Sequence, residues 1–300
     1  MLNNFFQYTE IKTKITSTFT FALTLAFLLY WDQKMDWKRT LVFFLAMLLF
    51  DLTTTAINNY IDSKDNGQTL AFKRKTSLAV IFVLFALSTV LGLYLAYLSD
   101  LVILLAGAVC FACGVFYTYG PIPISRQPLG EVFSGFFYGF MIPFILVYLN
   151  TPKGTYLWYE LSSKSVSVEI MFIPFLILIL LSIIPFATTA NIMLANNICD
   201  LEKDITVKRY TLPFYIGKAA LPLFAGLYGI TYLATIVMVV LGIFPVISLL
   251  VLITLIPVIR NIRIFFKKQI KEETFICSIK NFMWIMGANT VLLAIGSYLK

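Results

Sequence analysis

Runs of about twenty apolar residues recur from Ile15 to the end of the chain, and each is long enough for a helix to cross the hydrocarbon core of a bilayer. The composition agrees, because 60% of the 300 residues are hydrophobic and only 13% are charged. Soluble globular domains have about half apolar and a quarter charged residues. The excess of apolar side chains has to face lipid, so the sequence predicts an all-α, polytopic membrane protein and excludes a soluble core.

Nine transmembrane helices are predicted, in a single domain of residues 1–300. Charged and turn-forming residues between the apolar runs set their boundaries. The second and sixth helices are longer than a crossing requires, so we expect their polar ends to project beyond the hydrocarbon or into a cavity. The predicted helices cover residues 15–31, 38–62, 76–98, 100–118, 130–149, 169–200, 218–242, 244–260 and 281–299.

The distribution of Lys and Arg predicts the orientation. If the N-terminus is cytoplasmic, 17 of the 23 Lys and Arg residues fall in segments on the inner side and six fall outside. Cytoplasmic segments of membrane proteins carry such an excess. We therefore expect a multi-pass protein of the cell membrane with a cytoplasmic N-terminus and an external C-terminus. The net charge of +8 is mainly a sign of this topology, and nucleic acid is not an expected partner.

The first polar cluster, residues 56–67, ends the second predicted helix and has the sequence AINNYIDSKDNG. Asn58, Asp62 and Asn66 recur every four positions and therefore share one helix face. Ionisable groups at membrane depth are costly and usually mark a functional site. The candidate ligands of metal or substrate are Asn58, Asn59, Asp62, Asp65 and Asn66.

The second polar cluster, residues 194–204, ends the sixth predicted helix and has the sequence LANNICDLEKD. It repeats the Asn-Asn-x-x-Asp pattern of the first cluster, which suggests two four-helix halves followed by a ninth helix. The alternative is a pair of hydrated loop ends, but such ends have no reason to share a five-residue pattern. The candidate ligands here are Asn196, Asn197, Asp200 and Asp204, and the four-residue step continues to Lys208.

Four crossings separate the two clusters, so both are expected on the same, cytoplasmic side of the membrane. Their carboxylate and amide oxygens suit Mg2+, which typically binds one or two carboxylates together with substrate phosphate oxygens. The chain contains no His, so a general base has to be a carboxylate, Tyr, Lys, Cys or water. The two clusters together predict a Mg2+–diphosphate site.

Basic residues follow both clusters and are candidates for binding diphosphate oxygens. Each of them taken singly is equally compatible with anchoring the cytoplasmic side. Lys73 and Arg74 follow the first cluster, and Lys208, Arg209 and Lys218 follow the second.

A third feature is the stretch YTYGPIPISRQPLGE, residues 117–131, which Gly and Pro make irregular but stiff. It lies on the side predicted for the two clusters. Tyr117, Tyr119 and Arg126 are therefore candidates for roofing a substrate pocket.

These three segments resemble motifs of the UbiA superfamily of intramembrane prenyltransferases, and the likeness runs from the first helix to the ninth. Residues 58–66, NNYIDSKDN, are similar to the family's Asn-Asp-x-x-Asp-x-x-x-Asp motif, although two of its three acids are Asn here. Residues 196–204, NNICDLEKD, resemble the second motif of the branch that acts on 1,4-dihydroxy-2-naphthoate, and Arg209, Thr211 and Leu212 match its Lys-Arg-Thr-Leu stretch. Residues 117–123, YTYGPIP, resemble that branch's Tyr-Thr-Gly-Gly-Pro-x-Pro.

The resemblance implies a nine-helix bundle whose two Asp-rich motifs hold Mg2+ and a polyprenyl diphosphate. It implies transfer of the prenyl group to an aromatic acceptor, 1,4-dihydroxy-2-naphthoate, to give demethylmenaquinone. Asp62 or Asp65 would bind or deprotonate the acceptor hydroxyl. Two alternatives stay open: another acceptor, such as 4-hydroxybenzoate, haem, a tocopherol precursor or a lipid alcohol, and a secondary transporter, which would place its acids near mid-membrane on broken helices.

The predicted orientation is tested by introducing single cysteines into a variant without the four native ones. Because Lys153 falls outside and Lys203 inside, Lys153→Cys should react with a membrane-impermeant maleimide in intact cells, and Lys203→Cys only after permeabilisation. Labelling of Lys203→Cys but not Lys153→Cys in intact cells would contradict the orientation.

Overall fold

The structure, a computed structural model, describes residues 1–65, 69–120 and 123–300, and of Lys64 and Asp65 it describes only the backbone. Eight of the described helices are long and apolar enough to cross a membrane, and a ninth apolar helix, Leu101–Phe116, is shorter. The helices are α1 (Leu2–Tyr8), α2 (Ile15–Tyr30), α3 (Trp37–Asp65), α4 (Arg74–Leu98), α5 (Leu101–Phe116), α6 (Gly130–Ser134), α7 (Ile142–Asn150), α8 (Phe172–Cys199), α9 (Leu201–Thr206), α10 (Leu212–Ile216), α11 (Ala220–Val240), α12 (Leu255–Lys267) and α13 (Ile276–Tyr298).

The predicted membrane bundle is confirmed, with corrections at its edges. Helix α1 was not predicted, and the last helix begins at Ile276 instead of residue 281. The eighth predicted helix, 244–260, is wound as a 3-10 helix over Val246–Thr254 and becomes an α-helix only at Leu255. The sixth helix begins at Phe172, because residues 166–170 form a strand that pairs with a preceding strand. The all-α prediction therefore misses one small antiparallel hairpin, β1 (Leu157–Leu161) with β2 (Val166–Ile170).

The hairpin has a local cause in the sequence. In Val166–Ile170, VSVEI, apolar and polar residues alternate, which is the period of a strand with two different faces. Leu157 pairs with Ile170 and Tyr159 with Val168, so these apolar side chains share one face of the hairpin. The opposite face carries Glu169, which is paired with Trp158.

Helix α8 lies at the centre of the bundle and packs against α11, α13 and the span that begins at Gly130. Leu181 and Ile184 of α8 are fully buried in a core shared with α2, α11 and α13. Leu178, one turn earlier, joins a second core with α2, α5 and α7. Since both cores meet on α8, this helix fixes the position of the second polar cluster at its end.

The fifth span, Gly130–Asn150, is broken in the middle. Pro143 has no N–H to donate to the carbonyl of Gly139, four residues earlier, and its ring crowds that carbonyl. The preceding residues, Gly135–Met141, are accordingly wound as a π-helix between α6 and α7. Segments of this kind are frequent at functional sites.

Gly139 permits this broken span to approach α8. A Cβ at Gly139 would lie 2.3 Å from backbone atoms of Phe186, next to Pro185 inside α8. Backbone atoms cannot move aside as a side chain does, so only glycine fits there.

We predict that Gly139→Ala lowers the free energy of unfolding by at least about 1–3 kcal/mol, the usual cost of overpacking a core. The measurement is the thermal unfolding midpoint in detergent. Gly226→Ala in α11 is the matched control, since its Cβ would meet nothing within 4 Å, and it should be neutral or stabilising. Equal midpoints for both variants would contradict the close approach.

Candidate functional site

The stretch 117–131 joins the two polar clusters at one end of the bundle. Thr118 Oγ1 donates to Asn58 Oδ1 of the first cluster at 3.0 Å. At its other end, Glu131 Oε1 accepts from Asn197 Nδ2 of the second cluster at 2.8 Å. The two clusters and the connecting stretch therefore form one polar region, as the sequence pattern predicts.

The second cluster keeps its candidate ligands on one face although α8 ends there. Asp204 N donates to Asp200 O at 2.8 Å, which continues the helical turn from α8 into α9. Asp200 is at the junction of the two helices, and Asn196 lies one turn before it. Three oxygen-bearing side chains therefore follow one another along the same side of the chain.

Asp204 is buried, and its position is stabilised by Arg209. Arg209 Nη1 lies 3.7 Å from Asp204 Oδ1, and the backbone N–H of Arg209 donates to Asp204 O at 2.8 Å. Burial raises the pKa of the Asp204 carboxyl above its usual value, and the positive charge of Arg209 opposes that rise. Arg209 Nε also donates to Ser125 O at 2.8 Å, so the guanidinium links the second cluster to the 117–131 stretch.

Lys271 is a residue of this region that the sequence analysis did not select. Its Nζ donates to both Asn196 Oδ1 and Asp200 Oδ2. It lies between α12 and α13, about seventy positions from the second cluster, so no local pattern reveals the contact.

In the first cluster, the candidate residues have different neighbours. Asn58 faces Thr118, whereas Asn59 Nδ2 donates to Tyr8 O at 3.0 Å and to Glu10 Oε1 at 3.1 Å. Asn66 and the side chain of Asp65 lie outside the described residues.

The basic candidates near the first cluster lie at its rim. The Arg74 guanidinium is 4.2 Å from the centre of the Tyr60 ring, a cation–π contact, and its Nη1 is 3.4 Å from Ser63 Oγ. Lys73 is exposed at the start of α4. Lys208, which follows the second cluster, is also exposed, and its backbone has a left-handed conformation with φ of 55°.

Tyr117 is partly buried, and its hydroxyl is influenced by three charged groups of the polar region. Burial raises the pKa of its hydroxyl to about 12, while Arg209 acts to lower it and Glu131 and Asp62 act to raise it. The phenol therefore stays protonated at neutral pH and serves as a hydrogen-bond donor. Arg126 is exposed, and its backbone carbonyl accepts from Tyr210 N at 3.2 Å.

A cavity of about 330 Å³ adjoins this polar region. Asn58, Tyr117 and Thr118 belong to its wall. Most of the remaining wall is apolar or aromatic and comes from α3, α5 and the broken span, including Phe50, Phe111, Phe133 and Phe137. The arrangement offers a polar end for a charged group and an apolar space for a hydrocarbon.

Asp51, a residue of the same cavity wall, belongs to a buried ion pair that was missed by the sequence analysis. Lys14 Nζ is 2.8 Å from Asp51 Oδ1, and both side chains are about 95% buried, with 5% and 6% exposed. Ser17 Oγ donates to Asp51 Oδ2 at 2.7 Å and Tyr138 OH to Asp51 Oδ1 at 2.8 Å. An acid inside an apolar run was the available signal, since such residues usually mark a function.

The residues of the second cluster fit a hard divalent cation. They provide carboxylate and amide oxygens, the ligands that Mg2+ prefers. Among the described residues, the buried Asp204 Oδ2 and Asn197 Oδ1 have no hydrogen-bond partner, so each has an acceptor oxygen to spare. Within the same part of the chain, no three His, Cys, Asp or Glu residues are grouped closely enough to hold a metal ion by themselves. Mg2+ typically adds water and substrate phosphate oxygens to the one or two carboxylates that a protein provides.

Comparisons with known proteins agree with this arrangement. The family model described as the UbiA prenyltransferase family matches residues 18–286. A 1,4-dihydroxy-2-naphthoate octaprenyltransferase of Bacillus subtilis (strain 168) is 30% identical over 222 residues, which cover 68% of this chain and 65% of that protein.

Two solved structures show the same fold at low identity. A UbiA homolog from Aeropyrum pernix K1 superposes with a TM-score of 0.68 at 17% identity, over 94% of this chain and 98% of that one. A UbiA homolog from Archaeoglobus fulgidus bound to DMAPP and Mg2+ gives 0.58 at 12% identity, over 97% and 99% of the two chains. With the family match extending over most of its length, the chain belongs to the UbiA prenyltransferase family.

Proposed function

We propose that this protein transfers a polyprenyl group from a polyprenyl diphosphate to 1,4-dihydroxy-2-naphthoate within the membrane. The observation that carries the proposal is the polar region of two acid- and amide-bearing clusters directly beside an aromatic-walled apolar cavity. The relative from Bacillus subtilis, named for this acceptor, supports the choice of substrate.

The diphosphate is placed at the polar end, between the two clusters. Mg2+, when bound by the second cluster and the first, would neutralise charge that builds on the leaving diphosphate. In the homolog from Archaeoglobus fulgidus, DMAPP and Mg2+ are bound together. The candidate metal ligands of this chain are Asn58, Asp62, Asp65, Asn66, Asn196, Asp200 and Asp204.

Tyr117 and Arg209 are positioned to act on the leaving group from the protein side. Arg209 is already oriented by Asp204 and by the carbonyl of Ser125, so it presents a fixed positive charge. Tyr117 supplies a hydroxyl that remains protonated. Preorganised donors of this kind stabilise developing negative charge without reorganising.

The apolar cavity is assigned to the first isoprene units and the acceptor ring. Departure of diphosphate leaves an allylic cation, which aromatic faces stabilise and bulk water would trap. The acceptor ring then attacks the allylic carbon, and loss of its carboxylate as CO2 restores the aromatic ring, giving demethylmenaquinone in its reduced form. In this assignment, Ser17, Asp51 and Tyr138 form a polar patch in the wall around the acceptor ring.

A transporter would also use a buried acid such as Asp51 beside a broken span. The family match favours the enzyme, and Asp51 is already bound by Lys14, Ser17 and Tyr138. An ion relay needs an acid that can exchange partners, so this closed set of contacts argues against that role.

Protein purified into lipid nanodiscs with a labelled polyprenyl diphosphate tests the proposal against a panel of acceptors. With Mg2+ and 1,4-dihydroxy-2-naphthoate we expect a labelled, lipid-extractable product that is lost on thorough chelation. Efficient transfer to 4-hydroxybenzoate, haem or a lipid alcohol, but not to the naphthoate, would show that the protein uses a different acceptor from the one proposed. Undiminished transfer after chelation would show that the reaction does not require Mg2+.

The two clusters are predicted to act on one diphosphate. Asp62→Asn and Asp200→Asn should each lower kcat by about 10²–10³, as removal of one strong electrostatic group does. The double variant should be little worse than either single one, because groups acting as a unit are not additive. Glu160→Gln also replaces a carboxylate by an amide, but at an exposed position of the hairpin. It is the control and should leave kcat unchanged. Normal turnover by Asp200→Asn would overturn the role of the second cluster.

A further inference from the structure

Lys271 occupies the place where the second cluster would bind a cation. Its Nζ donates to Asn196 Oδ1 and to Asp200 Oδ2, the oxygens of two candidate metal ligands. The ion pair is half-buried, with 36% of the Lys271 side chain and 21% of the Asp200 side chain exposed. The positive charge of the ammonium repels a metal ion that approaches the same two oxygens, so the metal competes with this contact.

Lys271 is presented by an anchored turn and not by a loose surface loop. Ile270 N donates to Thr274 Oγ1 at 3.0 Å, and Thr274 N donates back to Ile270 O at 2.8 Å. Thr274 is buried, which fixes the turn to the bundle. The position of Lys271 opposite the second cluster is therefore built into the fold between α12 and α13.

Its neighbours allow the ammonium to shift without leaving the site. The Phe275 ring centre lies 5.4 Å from Lys271 Nζ, within the range of a cation–π contact. Arg209 is engaged with Asp204 and Ser125 and does not replace Lys271 at Asp200. If Asp200 turns to a metal, the ammonium remains beside the point at which the diphosphate binds.

We propose that Lys271 is the counter-ion of Asp200 in the unliganded protein and transfers its contact to the diphosphate when metal and diphosphate bind together. The inference rests on the proposed function, since it assumes a metal–diphosphate ligand. Without ligand, Lys271 neutralises Asp200 and competes with the metal. With ligand, the metal takes Asp200, and the ammonium forms charge-assisted hydrogen bonds to diphosphate oxygens.

The exchange makes the binding of the two ligand parts cooperative. Metal alone has to displace Lys271 when no anion is present to receive its charge, and diphosphate alone finds Lys271 already paired with Asp200. When both are present, each removes the obstacle to the other. Such coupling is reciprocal, so diphosphate changes the metal affinity by the same factor as metal changes the diphosphate affinity.

The test measures Mn2+ binding to the full chain in nanodiscs by the electron paramagnetic resonance signal of free Mn2+, with and without inorganic pyrophosphate. In Lys271→Met the competitor is gone, so Mn2+ alone should bind about tenfold more tightly than in the wild type. Pyrophosphate should bind about tenfold more weakly to the Mn2+-loaded variant, because one charge-assisted partner is lost. The gain in Mn2+ affinity produced by pyrophosphate should shrink accordingly.

Lys268→Met is the matched control, because it removes the same charge three residues away. Lys268 pairs with exposed Glu273 at 2.7 Å, and its loss should leave Mn2+ binding as in the wild type. Thermal midpoints establish that the variants are folded, and Lys271→Gln replaces Lys271→Met if the latter is not.

Unchanged or weaker binding of Mn2+ alone by the folded Lys271 variant would overturn the exchange, as would the same tightening in Lys268→Met. The outcome is separable from that of the prenyl-transfer assay. Transfer by the wild type together with unaltered Mn2+ binding in the variant rejects the exchange and leaves the proposed function standing. Cooperative Mn2+ and pyrophosphate binding that depends on Lys271, without transfer to any acceptor, supports the exchange and rejects the proposed reaction.

Discussion

Carboxylates removed from water have to be neutralised or hydrogen-bonded, and this requirement organises the whole polar region. Asp51 is paired with Lys14, Asp204 with Arg209 and Asp200 with Lys271, while Glu131 accepts from the amide of Asn197. These pairs connect the residue before α2 with α3, helix α9 with the segment that follows it, and the junction of α8 and α9 with the turn between α12 and α13. The buried and half-buried carboxylates of these pairs are thus neutralised within the protein itself.

The broken span Gly130–Asn150 gives the region its shape. Pro143 prevents a regular helix, and the π-helical segment before it turns Tyr138 towards Asp51 and lets Gly139 touch α8. The same span begins with Glu131, bonded to the second cluster. A single irregular span therefore joins the cavity wall to the polar end.

Much of this was predictable from the sequence because hydrophobicity alone determines membrane helices. The apolar runs predicted the spans, and the repeated Asn-Asn-x-x-Asp pattern identified the two clusters that the 117–131 stretch joins. The hairpin was missed because residues 157–168 were assigned no regular element and Glu169 and Ile170 were placed at the start of the long apolar helix 169–200. Lys271 and the Lys14–Asp51 pair were missed for a different reason: tertiary contacts between distant segments create them, and no local periodicity records such contacts.

The central claim is that both clusters hold one diphosphate through bound metal. It is tested most directly by pulsed electron–nuclear double resonance on Mn2+-loaded protein with an unreactive prenyl thiolodiphosphate. The wild type should show strong coupling of Mn2+ to 31P, because the metal and the diphosphate oxygens are in direct contact. That coupling should be lost or strongly reduced in Asp62→Asn and in Asp200→Asn alike. Unchanged 31P coupling in either variant would show that its cluster does not share the ligand and would contradict the account.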